Sequence, residues 1–328
     1  MATPGDGEGR IEIVYVLGRG RSGSTIFAQV LGALEGCFYA GEVRALWDPV
    51  LTHDSACACG EPVGRCPVWV PVLARLDHVD RDKVVRWQRE VVREARTTRQ
   101  LRGGGAGRAG AAGLAGSLLA SGGDWPALRG YREAMREVYA AIVAVTGCAT
   151  IVDSSKRPSY ALVVRSMAGV DPYFLHLVRD PRASAYSWRT RRHTGAAGTT
   201  VAQRGALDAT LRWDLLNLGA EAVLRTSPPR RRRQLRYEDF AAAPREMVAA
   251  VAAWLGRPAE TLPFVDERTV RVPTSHALAG NPSRELTGTV TIREDAQWWS
   301  AQRPADRWLA TAAALPLMWR YRYPLRPR

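Results

Sequence analysis

Four short apolar segments read as strands: IEIVYVLG (11–18), CATIVDSS (148–155), PYFLHLVRD (172–180) and RQLRYEDF (233–240). Each ends in turn or polar residues. The first and third are apolar nearly throughout, as parallel strands covered on both faces must be. Helical periodicity fills the intervals. Between 128 and 145 the set Leu128, Tyr131, Met135, Val138, Ile142 and Val145 recurs in steps of three and four, and Gly147 supplies a stop. PREMVAAVAAWLG (244–256) opens with proline and closes with glycine, the asymmetry of a helix start and end. Strands alternating with helices predict an α/β fold, a doubly wound parallel sheet flanked by helices. No linker divides the chain, so a single domain over 1–328 is expected, with a helical and loop insertion over about 45–127. Within it the glycine-rich stretch 102–123 reads as a flexible loop or a poorly packed helix.

The 328 residues, 46% of them hydrophobic, suffice for a full core. A net charge of +14 asks for an acidic partner: nucleic acid, an anionic membrane surface or a polyanionic cofactor. The arginine run PRRRR (229–233) lacks interleaved aromatics and reads as a solvated face. The start MATPGDGEGR is polar and no apolar run approaches membrane-spanning length, so neither an export signal nor membrane insertion is expected. An odd number of cysteines then fits a reduced, cytoplasmic protein. Cys57, Cys59 and Cys66 cluster in CACGEPVGRCPVW. They lack the paired two-residue spacing of zinc sites and show no fourth ligand, so no metal is expected.

The strongest local signal is GRGRSGST (18–25), set between the first strand and the helix STIFAQVLGAL. A strand, a glycine-rich turn and a helix N-terminus aim backbone N–H groups and the helix dipole at one point, where an anion binds. Gly18, Gly20 and Gly23 allow close backbone approach. Arg19 and Arg21 bring charge, and Ser22, Ser24 and Thr25 bring hydroxyl donors. The Gly-Lys-Ser/Thr ending of the common nucleotide-binding loop is missing. The glycines do match G-x-G-x-x-G, but arginines fill the turn, and no acidic ribose ligand is expected about twenty residues on at the end of a second strand.

These residues resemble the sulfotransferases that use 3′-phosphoadenosine 5′-phosphosulfate (PAPS). RGRSGST is similar to their loop for the 5′-phosphosulfate, and VRDPRASAYSW (178–188) to their signature for the 3′-phosphate. In the latter, Arg179 and Ser187 stand at the family's spacing for the two residues that hold that phosphate. VDSSKRP (152–158), LRYEDF (235–240), GNPSR (280–284) and TIREDAQWW (291–299) resemble the order of motifs in bacterial members. The resemblance covers about 11–45 and 148–300, and some bacterial members share the cysteine loop. The donor site is most similar to that of tyrosylprotein sulfotransferases, with arginine in the first loop and a Gly-Glu pair downstream.

The resemblance implies a P-loop-like fold and in-line sulfuryl transfer from PAPS, without a metal. Glu42 would be the general base, with Arg21 and Lys156 as electrostatic stabilisers. The donor would be held by Arg19, Gly20, Arg21, Ser22, Gly23, Ser24, Thr25, Arg179 and Ser187, with Tyr237, Arg284 and Arg293 completing the nucleotide pocket. The insertion would cap the acceptor side. His176 lies inside a strand and reads as a core histidine, whereas His53, His193 and His276 fall in expected loops. Trp47, Trp69, Trp87 and Trp188 are candidates to line an apolar pocket. The acceptor is expected to be a small hydroxyl compound or phenol rather than nucleic acid; composition suggests a bacterial source, where such enzymes decorate small metabolites. Two other readings compete. A P-loop kinase or nucleotide hydrolase would need Asp153 as its magnesium carboxylate, and a non-catalytic basic nucleic-acid-binding protein would rest on charge alone.

Overall fold

The segment IEIVYVL folds as β1 (Ile11–Leu17) and runs through the middle of a five-stranded sheet. The computed structural model describes residues 10–101, 125–190, 193–194, 200–201, 203–258 and 261–326. The sheet also contains β2 (Cys37–Gly41), β3 (Thr150–Lys156) and β4 (Val170–Val178). Two short strands, β5 (His193–Thr194) and β6 (Thr200–Val201), pair with each other, and β7 (Arg232–Arg236) returns to the main sheet. The order is β2-β3-β1-β4-β7, and all four pairings are parallel. A hairpin of β8 (Thr269–Val272) and β9 (Gly288–Thr291) stands beside it.

Alternation along β1 builds the two halves of the core. Ile13, Tyr15 and Leu17 face one side, with Tyr131, Val138 and Ile142 of the helix Pro126–Thr146. Val14 and Val16 face the other, with Phe27, Val30 and Leu31 of helix α1 (Ser24–Gly32) and with Phe240 and Val251. Both faces are covered, which is why the strand is apolar at every position but one. The helix read from 128–145 spans 126–146 and stops at Gly147, whose φ of 67° makes the left-handed cap.

The expected strand 233–240 is cut short. β7 ends at Arg236, and Tyr237–Ala242 is a helix that carries Glu238 and Asp239 in its first turn, where its dipole favours acids. Strand β2 is invisible to periodicity: its five residues, CFYAG, are too few to show alternation. It places Glu42 directly after a strand end, against the expectation of no acidic residue there. β2 lies next to β3 at the sheet edge, however, rather than beside β1.

The connection between β8 and β9 extends that edge. Leu278 N–H donates to the Ala40 carbonyl (2.9 Å), and Glu42 N–H donates to the Leu278 carbonyl (2.8 Å). Gly41, at φ 80°, is required at this crossing, since a Cβ would stand 2.3 Å from the Leu278 oxygen. Among the described residues no helix is long and apolar enough to cross a membrane. The stretch 102–123 lies outside the described residues.

Candidate active site

All five strands of the sheet deliver a candidate residue at their carboxyl ends, the edge where open α/β sheets bind ligands. Leu17 leads into the glycine loop, Gly41 into Glu42, and β3 ends on Lys156. Val178 leads into Arg179, and Arg236 into Tyr237.

The loop 18–23 is wound by positive φ at Gly18 (144°), Arg21 (78°) and Gly23 (76°). Gly23 is doubly constrained, because a Cβ there would lie 2.2 Å from the Tyr237 ring. Helix α1 then starts with no side-chain cap on its first amides. Four side-chain donor atoms in this stretch are buried without a hydrogen-bond partner: Arg19 Nε and Nη2, Ser22 Oγ and Thr25 Oγ1. Each such group costs about 1–3 kcal/mol if left so, which makes the loop a poor structural turn and a good anion cradle. Burial, with Arg157, Arg204 and Arg212 nearby, depresses Arg19 to about 10, a crowding of positive charge that an anion relieves.

Trp188 holds the loop from the helix Pro181–Thr190. Its Nε1 donates to the Gly20 carbonyl (3.0 Å), and the guanidiniums of Arg19 and Arg21 lie 4.2 and 5.1 Å from its ring centroid. Arg21 Nη1 donates to Asn281 Oδ1 (2.7 Å). Arg179 is buried and forks, Nη1 to the Arg21 carbonyl and Nη2 to Asp295 Oδ2, both 3.0 Å, while its guanidinium lies over Tyr237.

On the other side of the loop, Lys156 Nζ donates to Glu42 Oε1 (2.7 Å). Burial pushes the Glu42 carboxyl up, but Lys156, Arg44 and Arg157 outweigh it and hold the group below its ordinary value of 4.5. The turn that aims Lys156 is braced from beneath. Tyr15 Oη donates to the Arg157 carbonyl (2.9 Å), and Ser155 N–H donates to Asp153 Oδ1 (2.7 Å). Tyr139 Oη donates to Asp153 Oδ2 (2.6 Å). This scaffold fixes Lys156 at φ 64°, a conformation that costs a non-glycine residue about 1 kcal/mol or more. Asp153 itself is fully buried, and burial raises it to about 6. It supports the turn and is not presented to a ligand.

Two adjoining cavities share Arg21 and Asn281 as common walls. One, of about 300 Å³, is lined by the loop, Glu42, Lys156, Arg157 and Trp188, with Ala45, Pro49 and Leu216 as its apolar part. The other, of about 500 Å³, is lined by Thr25, Arg179, Ser187, Tyr237 and Asp295. The first offers a carboxylate beside cations, suited to proton abstraction next to an anion. The second offers a buried guanidinium and a serine, suited to a second anionic group.

The family model described as "Sulfotransferase family" matches residues 14–261, a span that contains the loop, Glu42, Lys156, Arg179, Ser187 and Tyr237. The chain belongs to the sulfotransferase family. No curated protein matches it in sequence. Among solved structures it is similar to the sulfotransferase domain of the curacin biosynthetic pathway, at 15% identity over 94% of this chain and 97% of that one, TM-score 0.48. It is also similar to the sulfotransferase domain of the Synechococcus PCC 7002 olefin synthase, at 17% identity over 99% and 100%, TM-score 0.43. A sulfotransferase from Mycobacterium avium matches at 12% identity over 97% and 79%, TM-score 0.46.

The candidate site gathers most of the residues singled out in the sequence. Ser22 and Ser24 belong to the loop without lining either cavity, and Arg284 and Arg293 stand apart from both. Arg284 is buried, with Nη1 donating to the Gly280 carbonyl and Nη2 to that of Ala56, so it ties the β8–β9 connection to the cysteine loop. Arg293 is exposed, and it is Asp295, two residues on, that reaches Arg179. His176 is a core residue as read: it is bonded to Asn217 Oδ1 (2.8 Å) and depressed to about 4 by burial. His193 opens strand β5, not a loop. Trp47, Trp69 and Trp87 pack into the core, which leaves Trp188 alone of the four on a cavity wall.

Asn281, Asp295, Arg44 and Arg157 were not singled out. Asn281, Arg157 and Asp295 sit inside the motifs GNPSR, VDSSKRP and TIREDAQWW, each close to an arginine or lysine with the stronger signal. Arg44 carries no spacing signal, because only the fold brings it near. The arginine run is spent locally: Arg231 pairs with Asp171 and stacks on Tyr173, and Arg233 stacks on Trp254.

Proposed function

We propose that this enzyme transfers the sulfuryl group of PAPS to a hydroxyl of a small acceptor, either an alcohol or a phenol. The observation that carries the reading is the set of buried, unpartnered donors at Arg19, Ser22 and Thr25, on the loop that joins two cation-lined cavities. Residues that fit the donor are present at both ends. Arg19, Arg21, Ser22, Ser24, Thr25 and the α1 amides would hold the 5′-phosphosulfate. Arg179 and Ser187 would read the 3′-phosphate, with Tyr237 packed alongside; that phosphate separates the donor from ATP and simple adenylates.

Sulfuryl transfer, like phosphoryl transfer, is a loose in-line displacement in which positioning and charge stabilisation dominate. Glu42, ionised at neutral pH, takes the proton of the acceptor hydroxyl as its oxygen attacks sulfur. Arg21 and the loop amides neutralise charge growing on the departing 5′-phosphate. Lys156 has two partners in turn. It holds Glu42 ionised in the free enzyme, then turns to the sulfuryl oxygens once the donor is seated. Glu42, losing its cation while still buried, becomes the stronger base at the step that needs one. The small apolar wall of Ala45, Pro49, Leu216 and Trp188 favours a compact acceptor. Among the described residues of the insertion, Ala45 and Pro49 line that wall. The donor-site resemblance to tyrosylprotein sulfotransferases supports the role of Glu42 and says nothing of a protein acceptor.

The test is transfer from sulfur-labelled donor to a panel of phenols and alcohols. Labelled ester should form with release of adenosine 3′,5′-bisphosphate, and Glu42→Gln should lower turnover about a hundredfold or more. Intact donor throughout, with ATP and magnesium hydrolysed in its place, would sink the proposal.

A further inference from the structure

The three cysteines of the loop 57–66 find a fourth donor that no local pattern could supply. His276, 210 residues from Cys66, turns its Nδ1 to within 3.2 Å of the Cys66 sulfur. The Cys59 and Cys66 sulfurs are 3.8 Å apart, and all four ligand atoms, with that of Cys57, lie within 4.8 Å of one another. We propose that Cys57, Cys59, Cys66 and His276 form a structural zinc site that clamps the cysteine loop to the wall of the active site.

The distances suit the ion. Zn–S bonds of about 2.3 Å in a tetrahedron put sulfurs about 3.8 Å apart, and an imidazole nitrogen at about 2.0–2.1 Å stands roughly 3.5 Å from each sulfur. Three soft thiolates and one imidazole select zinc among the common divalent ions, and a full set of four protein ligands leaves no open position for a reacting water. Such a site braces structure. On binding, the three thiols release their protons to the buffer as the Zn–S bonds form.

The surroundings are built for it. Cys57 to Gly60 make a turn closed by the Gly60 N–H to the Cys57 carbonyl (3.0 Å), with Gly60 at φ 95°. Val70 N–H donates to the Cys66 carbonyl (2.9 Å), which ties that residue to the start of the helix Trp69–Ala74. Trp69 Nε1 donates to the His276 carbonyl (2.7 Å), which fixes the backbone of the fourth ligand. Ala58 N–H donates to the Ala277 carbonyl (3.2 Å), so loop and β8–β9 connection already touch. All five cysteines are free thiols in the structure. The clamp matters because the clamped segment continues through Leu278, which receives Glu42 N–H, to Asn281, which receives Arg21. The inference does not depend on which donor the enzyme uses.

The full-length protein, purified under reducing conditions without chelator, should carry about one zinc per chain by elemental analysis. Cobalt exchanged into it should give the intense thiolate-to-metal and tetrahedral d–d bands of a sulfur-rich site. Cys66→Ser and His276→Ala should each lower zinc content or affinity at least about tenfold, while Cys148→Ser, outside the cluster, keeps the metal. The cobalt spectrum of the unaltered protein decides independently of whether Cys66→Ser folds. Protein that neither holds zinc nor gives the tetrahedral cobalt spectrum overturns the proposal. A native Cys59–Cys66 disulfide, or equal loss of metal in Cys148→Ser, does so as well.

Discussion

Arg179→Lys separates the bracing contacts of one guanidinium from the ligand-binding role proposed for it. Arg179 is buried, and its fork spans the Arg21 carbonyl and Asp295 at 3.0 Å each while facing the cavity of Ser187 and Thr25. Lysine keeps the charge but has no planar fork, so it cannot hold both partners and a phosphate together. A charge-assisted hydrogen bond to an anion contributes about 1.5–3 kcal/mol, and each 1.4 kcal/mol is tenfold in affinity. Calorimetric titration with adenosine 3′,5′-bisphosphate should therefore show affinity falling about 10- to 100-fold in the variant. Adenosine 5′-monophosphate, which lacks the 3′-phosphate, should lose less than about threefold, reflecting only slackening of the Arg21 backbone. An equal loss for both nucleotides would refute the reasoning and reduce Arg179 to a brace for the loop. No loss for either would remove it from the site.

Glu42→Gln should cut kcat about a hundredfold or more with donor KM nearly unchanged, since the amide keeps the shape and cannot accept the proton; unchanged turnover would end the base assignment. In the free enzyme Glu42 titrates below 4.5, so kcat/KM should show no acid limb from it above that pH. Lys156→Met removes the strongest of the influences holding it down and leaves burial opposed by the weaker Arg44 and Arg157. The acid limb should then move to higher pH, and a limb that stays put or moves lower would contradict the pairing. The sign for stability follows. A depressed carboxyl stabilises the fold above its unfolded value and loses that contribution as pH falls through its folded one, so the loss in wild type should occur below pH 4.5. Gly23→Ala combines a left-handed φ with a 2.2 Å clash against Tyr237 and should cost about 2–4 kcal/mol in denaturant unfolding; less than about 0.5 kcal/mol would mean the ring yields freely.

Much of the candidate site could be read from the chain because its parts are local. The glycine loop is contiguous, and Arg179 and Ser187 share one strand-to-helix turn. The core strands declared themselves because β1 and β4 are buried on both faces. What escaped depends on contacts between distant segments. β2 is too short for periodicity, so Glu42 is marked by the Gly-Glu pair of the resemblance and not by its place after a strand. Asp295 reaches Arg179 across 116 residues, and Asn281 reaches Arg21 across 260. His276 falls in an expected loop, and nothing near it in sequence points to the cysteine loop 210 residues away. Trp188 was visible as an aromatic, but its work of pinning the Gly20 carbonyl under two arginines is tertiary.

The central claim is that the loop 18–25 and Arg179 together hold a 3′-phosphorylated adenylate. Thermal unfolding of the wild-type enzyme in the presence of nucleotides tests it most directly. At about 100 times its dissociation constant, adenosine 3′,5′-bisphosphate should stabilise the fold by about 2.7 kcal/mol and raise the midpoint by several degrees. ATP with magnesium at the same concentration should give little. Stabilisation by ATP with magnesium and none by the bisphosphate would contradict the account.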